Sequence, residues 1–265
     1  MIDTHCHLDD ELFDADREAL VRAARDAGVT DLVVPGIGPG NWERVRALAA
    51  ATPGVHAAFG VHPQLLAEVD PADDDRLLAE LEATLSRGGA VAVGECGLDA
   101  PTAGRGADLD RQAAVLRGQL ELARRFELPV LLHVFHAHEP LAALLAREPL
   151  PAGGVLHSFS GSAEQVRQLL RFGLHYAFAG PVTYSQARKP IEAVRAVPRE
   201  RLLLETDAPD QTPRPHRGRC EPAHLADVAR AVAQALDVPL EELDALTTDN
   251  ARRLFRLTAP SAETA

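Results

Sequence analysis

The chain has 265 residues, 46% of them apolar and only 4% aromatic, with a formal net charge of -12. That length holds one large domain or two small ones, with a core filled mainly by Leu, Val and Ala. The charge disfavours binding along an extended nucleic-acid backbone, and no apolar run approaches the roughly 20 residues of a membrane helix.

The first stretch, Ile-Asp-Thr-His-Cys-His at 2–7, alternates residue types. On a strand, alternate side chains share a face, so His5 and His7 project side by side from its end. Neutral imidazole ligates borderline divalent metals. The pair alone reads equally well as two ordinary polar residues, and the rest of the chain must decide. Short apolar runs recur at 1–4, 31–37, 55–60, 90–94, 129–133, 154–157, 174–180 and 202–205. Most are rich in Val and Leu, as in strands buried on both faces.

Helical patterns separate these runs. Residues 17–27 carry Leu20, Val21 and Ala24 on one face and stop at Gly28. Trp42, Val45, Leu48 and Ala49 form the next stripe, with Trp42 read as packing. Leu77, Leu78, Leu81 and Leu85 form a third, ending at Gly88. Leu116, Leu120 and Ala123 mark a fourth, and Leu141, Leu144 and Leu145 a fifth, opened by Pro140. Ser-Ala-Glu-Gln at 162–165 is a capping box that opens a sixth. Pro190 opens a seventh, Pro222 an eighth, and a last helix spans 240–257. Eight strand–helix units predict an α/β fold, a (β/α)₈ TIM barrel, with a doubly wound sheet as the alternative. Residues 1–257 are expected to form one domain with an extra C-terminal helix, and 258–265 a loose tail. Cys6, Cys96 and Cys220 are scattered and odd in number. With no room for a leader before the first strand, they predict a reducing cytoplasm. A monomer is expected.

In such a barrel, chemistry sits where the strands end. The strands here end at His5 and His7, at His62, at Glu95, at His133, at His157 and at Asp207. Four imidazoles and two carboxylates (His5, His7, His133, His157, Glu95 and Asp207) exceed what one catalytic metal uses. Two divalent ions about 3.5–4 Å apart, sharing a carboxylate, fit better. A carboxylated lysine is an unsuitable bridge, because Lys189, the only lysine, lies after the seventh strand. Glu95 on the central strand is the natural one. The imidazoles favour Zn²⁺ or Mn²⁺ over Mg²⁺ alone.

Several motifs together resemble the TatD family of metal-dependent hydrolases. They are Asp-Thr-His-Cys-His-Leu at 3–8, Gly-Val-His-Pro at 60–63 and Gly-Glu-Cys-Gly-Leu-Asp at 94–99. Leu-Pro-Val-Leu-Leu-His at 128–133, His-Ser-Phe-Ser-Gly at 157–161, Glu-Thr-Asp-Ala-Pro at 205–209 and Asn-Ala-Arg-Arg-Leu-Phe at 250–255 follow in family order. The segment 205–210 looks most like the branch of YjjV-type proteins. The resemblance implies a barrel that binds two divalent metals and carries deoxyribonuclease activity. Its ligand pattern falls on His5, His7, Glu95, His133, His157 and Asp207. There are departures. Phe135 stands where many members have Arg, Ala100 where many have an aromatic, and Cys220 where Asn is usual. None is a ligand, and all three bear on the substrate.

From this pattern, His5, His7 and Asp207 would hold one metal and His133 and His157 the other, with Glu95 between. A hydroxide spanning the metals would be the nucleophile, with Asp207 orienting it and accepting its proton. His62 would contact substrate or water, or else fix its own turn. Cys6 and Cys96 would pack behind the ligands. Arg217 and Arg219, in the loop after strand 8, could hold a phosphate at the rim or sit on a solvated loop. Three functions follow. One is a phosphodiesterase on single-stranded nucleic-acid ends. Another is an acyl or amide hydrolase on the same site, including ester bonds of charged tRNA. The third is a non-catalytic binding protein, which predicts eroded ligands.

Overall fold

The computed structural model describes residues 1–150 and 152–258, so the tail expected over 258–265 lies, apart from Thr258, outside the described residues. Eight parallel strands pair in chain order. They are β1 (Ile2–Asp3), β2 (Asp31–Gly36), β3 (Val55–Phe59), β4 (Ala90–Asp99), β5 (Val130–Phe135), β6 (Gly154–Leu156), β7 (Leu174–Phe178) and β8 (Leu202–Leu204). The Thr4 N–H donates to the Leu204 carbonyl at 3.1 Å and the Asp207 N–H to the His5 carbonyl at 2.9 Å, which brings the last strand back to the first. The result is a (β/α)₈ barrel. Sequential strand order excludes the doubly wound alternative, whose order reverses in mid-sheet.

The helices are α1 (Arg17–Asp26), α2 (Pro39–Ala51), α3 (Asp74–Ser86), α4 (Ala100–Ala103), α5 (Leu109–Arg125), α6 (His138–Leu145), α7 (Ala163–Leu169), α8 (Arg188–Ala196), α9 (Leu225–Leu236) and α10 (Leu240–Phe255). Ser162 and Gln165 form the reciprocal cap of α7. Both α6 and α8 begin two residues before the proline expected to open them. In the first turn an N–H has no helical partner, so proline fits there as well. The short α4 escapes a periodicity search, although Asp99 caps it by accepting from the Thr102 N–H.

Period-2 alternation splits the strands' side chains between two cores. Ile2, Val33, Ala58, Ala92, Leu131, Val155, Ala177 and Leu203, one from each strand, fill the barrel interior. Ala251, Leu254 and Phe255 of α10 close that layer. Outward residues such as Phe59, Leu132, Tyr176 and Leu204 pack with the helices, as does Trp42, whose indole N–H donates to the Gly60 carbonyl at 3.0 Å. Two residues beyond Leu131, Val155 and Leu203, on the same inward face, stand His133, His157 and Glu205. The apolar layer is therefore the floor of a polar one.

Glu95 reaches that polar layer by an irregularity. Val93 pairs with Val130, but Cys96 pairs with Leu132, so β4 holds one residue more than β5 over the same span. Such a bulge re-aims a side chain. Here it turns Glu95 inward while Val93 and Cys96 both stay with the outer core.

Candidate metal centre

Six side chains converge at the C-terminal mouth of the barrel. The Nε2 atoms of His5 and His7 lie 3.2 Å apart, and Glu95 Oε2 lies 3.3 Å and 3.6 Å from them. Asp207 Oδ1 completes this group at 3.5 Å and 3.8 Å. The other Glu95 oxygen, Oε1, faces His133 Nδ1 at 3.1 Å and His157 Nε2 at 3.0 Å. One carboxylate thus presents an oxygen to each of two imidazole pairs. Glu95 is 2% exposed, and the ring nitrogens crowd around its two oxygens. These donors suit divalent cations.

Electrostatics couple the members of the cluster. Burial alone would push the Glu95 carboxyl up, yet His62, His157, His5 and the His133 hydrogen bond hold it well below the usual carboxylate range. Burial would depress His157, but the charge of Glu95 and the neighbouring Glu205 carboxylate raise it well above an ordinary histidine. His5 is lowered by burial and by His157, whose ring stacks on it at 3.9 Å.

Further residues set which nitrogen of each ring faces the centre. Asp99 Oδ2 lies 3.1 Å from His133 Nε2, a carboxylate partner that orients the ring and turns Nδ1 toward Glu95. Asp99 is itself fixed by the Gln64 amide at 3.0 Å and the Thr102 N–H at 2.9 Å. Glu205 lies 3.5 Å from His157 Nδ1 and accepts from the Ser158 N–H. The Gln64 N–H donates to His62 Nδ1 at 3.2 Å, so the His62 proton sits on Nε2, 3.1 Å from Glu95 Oε1. A protonated ring nitrogen donates and does not ligate. Asp207 adopts a left-handed backbone, φ 58°, which Asp tolerates, and its carboxylate accepts from Gln211. The Asp99→Ala variant is expected to lose about 10- to 100-fold in metal affinity. Titration of the metal-free variant with Zn²⁺ checks this, and unchanged affinity would remove Asp99 from the scheme.

The structure brings His5, His7, His62, Glu95, His133, His157 and Asp207 together. It does not bring Arg217 and Arg219 to them. Arg219 grips Asp16 at 2.7 Å and 3.1 Å, reaches Glu221 and the Leu12 carbonyl, and lies over the Phe13 ring at 4.9 Å. It ties the strand-8 loop to the segment before α1. Arg217 is exposed, and neither arginine lines the cavity around the cluster. The arginine that does is Arg44 of α2, paired with Asp14. Its position after a glycine-rich turn gave no motif by which to find it. Asp99 and Glu205 were visible at strand ends, but their role in orienting imidazoles needs the three-dimensional pairing. Cys6 and Cys96 are buried behind the site, and burial raises both thiols.

A family model described as TatD related DNase matches residues 2–256. The chain is 36% identical over 259 residues to YabD of Bacillus subtilis, named an uncharacterized metal-dependent hydrolase, covering 97% of this chain and 99% of that protein. It is 37% identical over 267 residues to the 3'-5' ssDNA/RNA exonuclease TatD of a Pantoea species, covering 97% and 100%. Its fold is similar to the crystal structure of the TatD homolog YjjV from Escherichia coli, with a TM-score of 0.89 and 36% identity over 97% of this chain and 98% of that one. The chain belongs to the TatD family of metal-dependent hydrolases.

Proposed function

We propose that the chain is a two-metal phosphodiesterase that acts on single-stranded nucleic-acid ends, as a cytoplasmic monomer. The observation that carries the two-metal reading is Glu95, whose oxygens face separate imidazole pairs. The similarity to an exonuclease named for ssDNA and RNA supports the substrate class. His5, His7 and Asp207 would hold one ion, and His133 through Nδ1 and His157 through Nε2 the other, with Glu95 shared. Divalent ions held there, Zn²⁺ or Mn²⁺ ahead of Mg²⁺, would polarise the scissile group and acidify an attacking water. Asp207 accepts that water's proton, and Gln211 keeps its carboxylate aimed. His62 donates from Nε2 to Glu95 Oε1, which helps hold that carboxylate between the imidazole pairs and leaves His62 beside the substrate. Arg44 is the arginine that lines the cavity around the cluster.

One observation favours a second reading. The cavity beside the cluster, about 530 Å³, carries Asp9, Asp10, Glu11 and Asp210 against the single Arg44. Such a wall suits a short substrate, or one that bears an ammonium group, such as an aminoacyl ester. Metal-supplemented turnover of single-stranded DNA, RNA, nucleotide esters and aminoacyl esters separates the two. Cleavage of aminoacyl esters with no cleavage of any phosphodiester would reverse the order of the readings.

Metal analysis of the purified protein is expected to give two divalent ions per chain after loading, and their removal by a chelator should abolish turnover. A stoichiometry that saturates at one ion would sink the paired site.

A further inference from the structure

The metal-binding cluster stands between two unlike chambers. His133, His157 and Asp207 line both. One is the acidic cavity described above. The other, about 380 Å³, is walled by Phe135, Phe159, Phe178, Pro181 and Val182. A group in this second chamber lies next to the reacting atoms, so it belongs to the substrate.

Three features describe that group. The volume is at the low end of the range for small-molecule sites, about 300–1,000 Å³, which is room for one planar ring system and its sugar. The walls are mostly apolar, and two of the polar side chains among them are already engaged. Ser158 and Gln211 hydrogen-bond each other, and Gln211 also binds Asp207. At the mouth, Phe135 ends β5 with 41% of its surface exposed, its ring leaning on His136 at 4.3 Å. An aromatic left open to water at the edge of a catalytic cleft offers a π-face.

The rim carries one cation. Lys189, the only lysine of the chain, lies exposed in the first turn of α8 and forms no ion pair among the described residues. The acidic chamber repels additional phosphates, so a polyanionic strand must run out on the Lys189 side.

We propose that the apolar chamber receives the nucleobase that flanks the scissile phosphate, with Phe135 as its stacking surface and Lys189 contacting the next phosphate of the strand. The proposal rests on the phosphodiesterase reading and adds the direction in which the strand lies. Stacking is tolerant of base identity because every base has a π-face. The enzyme therefore requires a base at this position and selects little among the four.

The test uses metal-loaded protein and short oligodeoxythymidylates. Each carries either thymine or an abasic residue at the nucleotide flanking the cleaved bond, at either end of the strand in turn. Loss of the base is expected to lower kcat/KM about 5- to 100-fold in the unaltered protein. Phe135→Ala is expected to cost as much on the thymine substrate. The two losses should not add, so that the same change costs less than about twofold on the abasic strand. Phe135→Trp should restore the base-dependent part. Lys189→Ala should raise KM and reduce the salt dependence of KM by about one phosphate contact, with kcat nearly constant. Equal rates on thymine and abasic strands, or additive losses, would overturn the base chamber while leaving the phosphodiesterase reading intact. Failure of the unaltered protein to cleave any strand would remove both.

Discussion

Replacing Glu95 with alanine is expected to abolish hydrolysis, lowering turnover by about 10³-fold or more, equivalent to about 4 kcal/mol in the barrier. The carboxylate is the one group that faces both halves of the cluster, with Oε2 toward His5 and His7 and Oε1 toward His133 and His157. On the two-metal reading its loss would remove a ligand from each ion, together with the charge that holds His157 well above the ordinary histidine range. The metal content of the variant should fall below one ion per chain after gel filtration. The fold should persist, because Glu95 lies above the apolar layer and contributes nothing to it. Far-UV circular dichroism and metal analysis on the same sample check both halves. Full activity in a folded Glu95→Ala protein would rule out the bridge. Glu95→Gln, which keeps the shape and loses the charge, should retain partial metal and lose most of the turnover.

The barrel was legible because parallel strands buried on both faces show as apolar runs and their helices as periodic stripes. The site was legible where it obeys the same period. His133 and His157 follow Leu131 and Val155 by two residues, so an inward floor residue announces an inward residue of the cluster. His5 and His7 show the same spacing directly. Other parts depend on exceptions to the pattern. Glu95 faces inward through a bulge in β4 that no local sequence rule locates, although the glycines around it are visible. Asp207 is aimed by a left-handed backbone at its own position. Arg219 looked like a phosphate ligand because loop arginines often are, whereas the fold sets Asp16, 203 residues away in sequence, under its guanidinium. Long-range ion pairs of this kind leave no periodic trace. The apolar chamber was illegible for a related reason. Phe135, Phe159, Phe178 and Lys189 come from separate segments that only the closed barrel brings together.

The same close approach of strands predicts that Gly97→Ala destabilises the protein by about 2–6 kcal/mol, combining backbone strain with overpacking. Gly97 has φ +151°, and a Cβ built on it would fall 1.8 Å from the His133 carbonyl oxygen and 2.8 Å from its carbon. Those atoms are backbone, so no rotamer change relieves the clash. Either β5 moves away from β4, where Gly97 pairs with His133, or the glycine's own backbone rotates. Both responses displace His133 from Glu95. The melting temperature should fall on the order of 10 °C. The protein that still folds should bind one ion more weakly than the other. Gly104→Ala is the control, since its φ is unremarkable for an L-residue and the nearest atom to a Cβ is the Pro101 carbonyl oxygen at 3.6 Å. That change should be neutral, or stabilising by about 0.4–1 kcal/mol through the unfolded chain. Thermal melts of the two variants side by side decide the matter. An unchanged melting temperature and intact metal binding in Gly97→Ala would show that β4 and β5 have room to spare at this point, and that His133 is not held in place by the backbone contact.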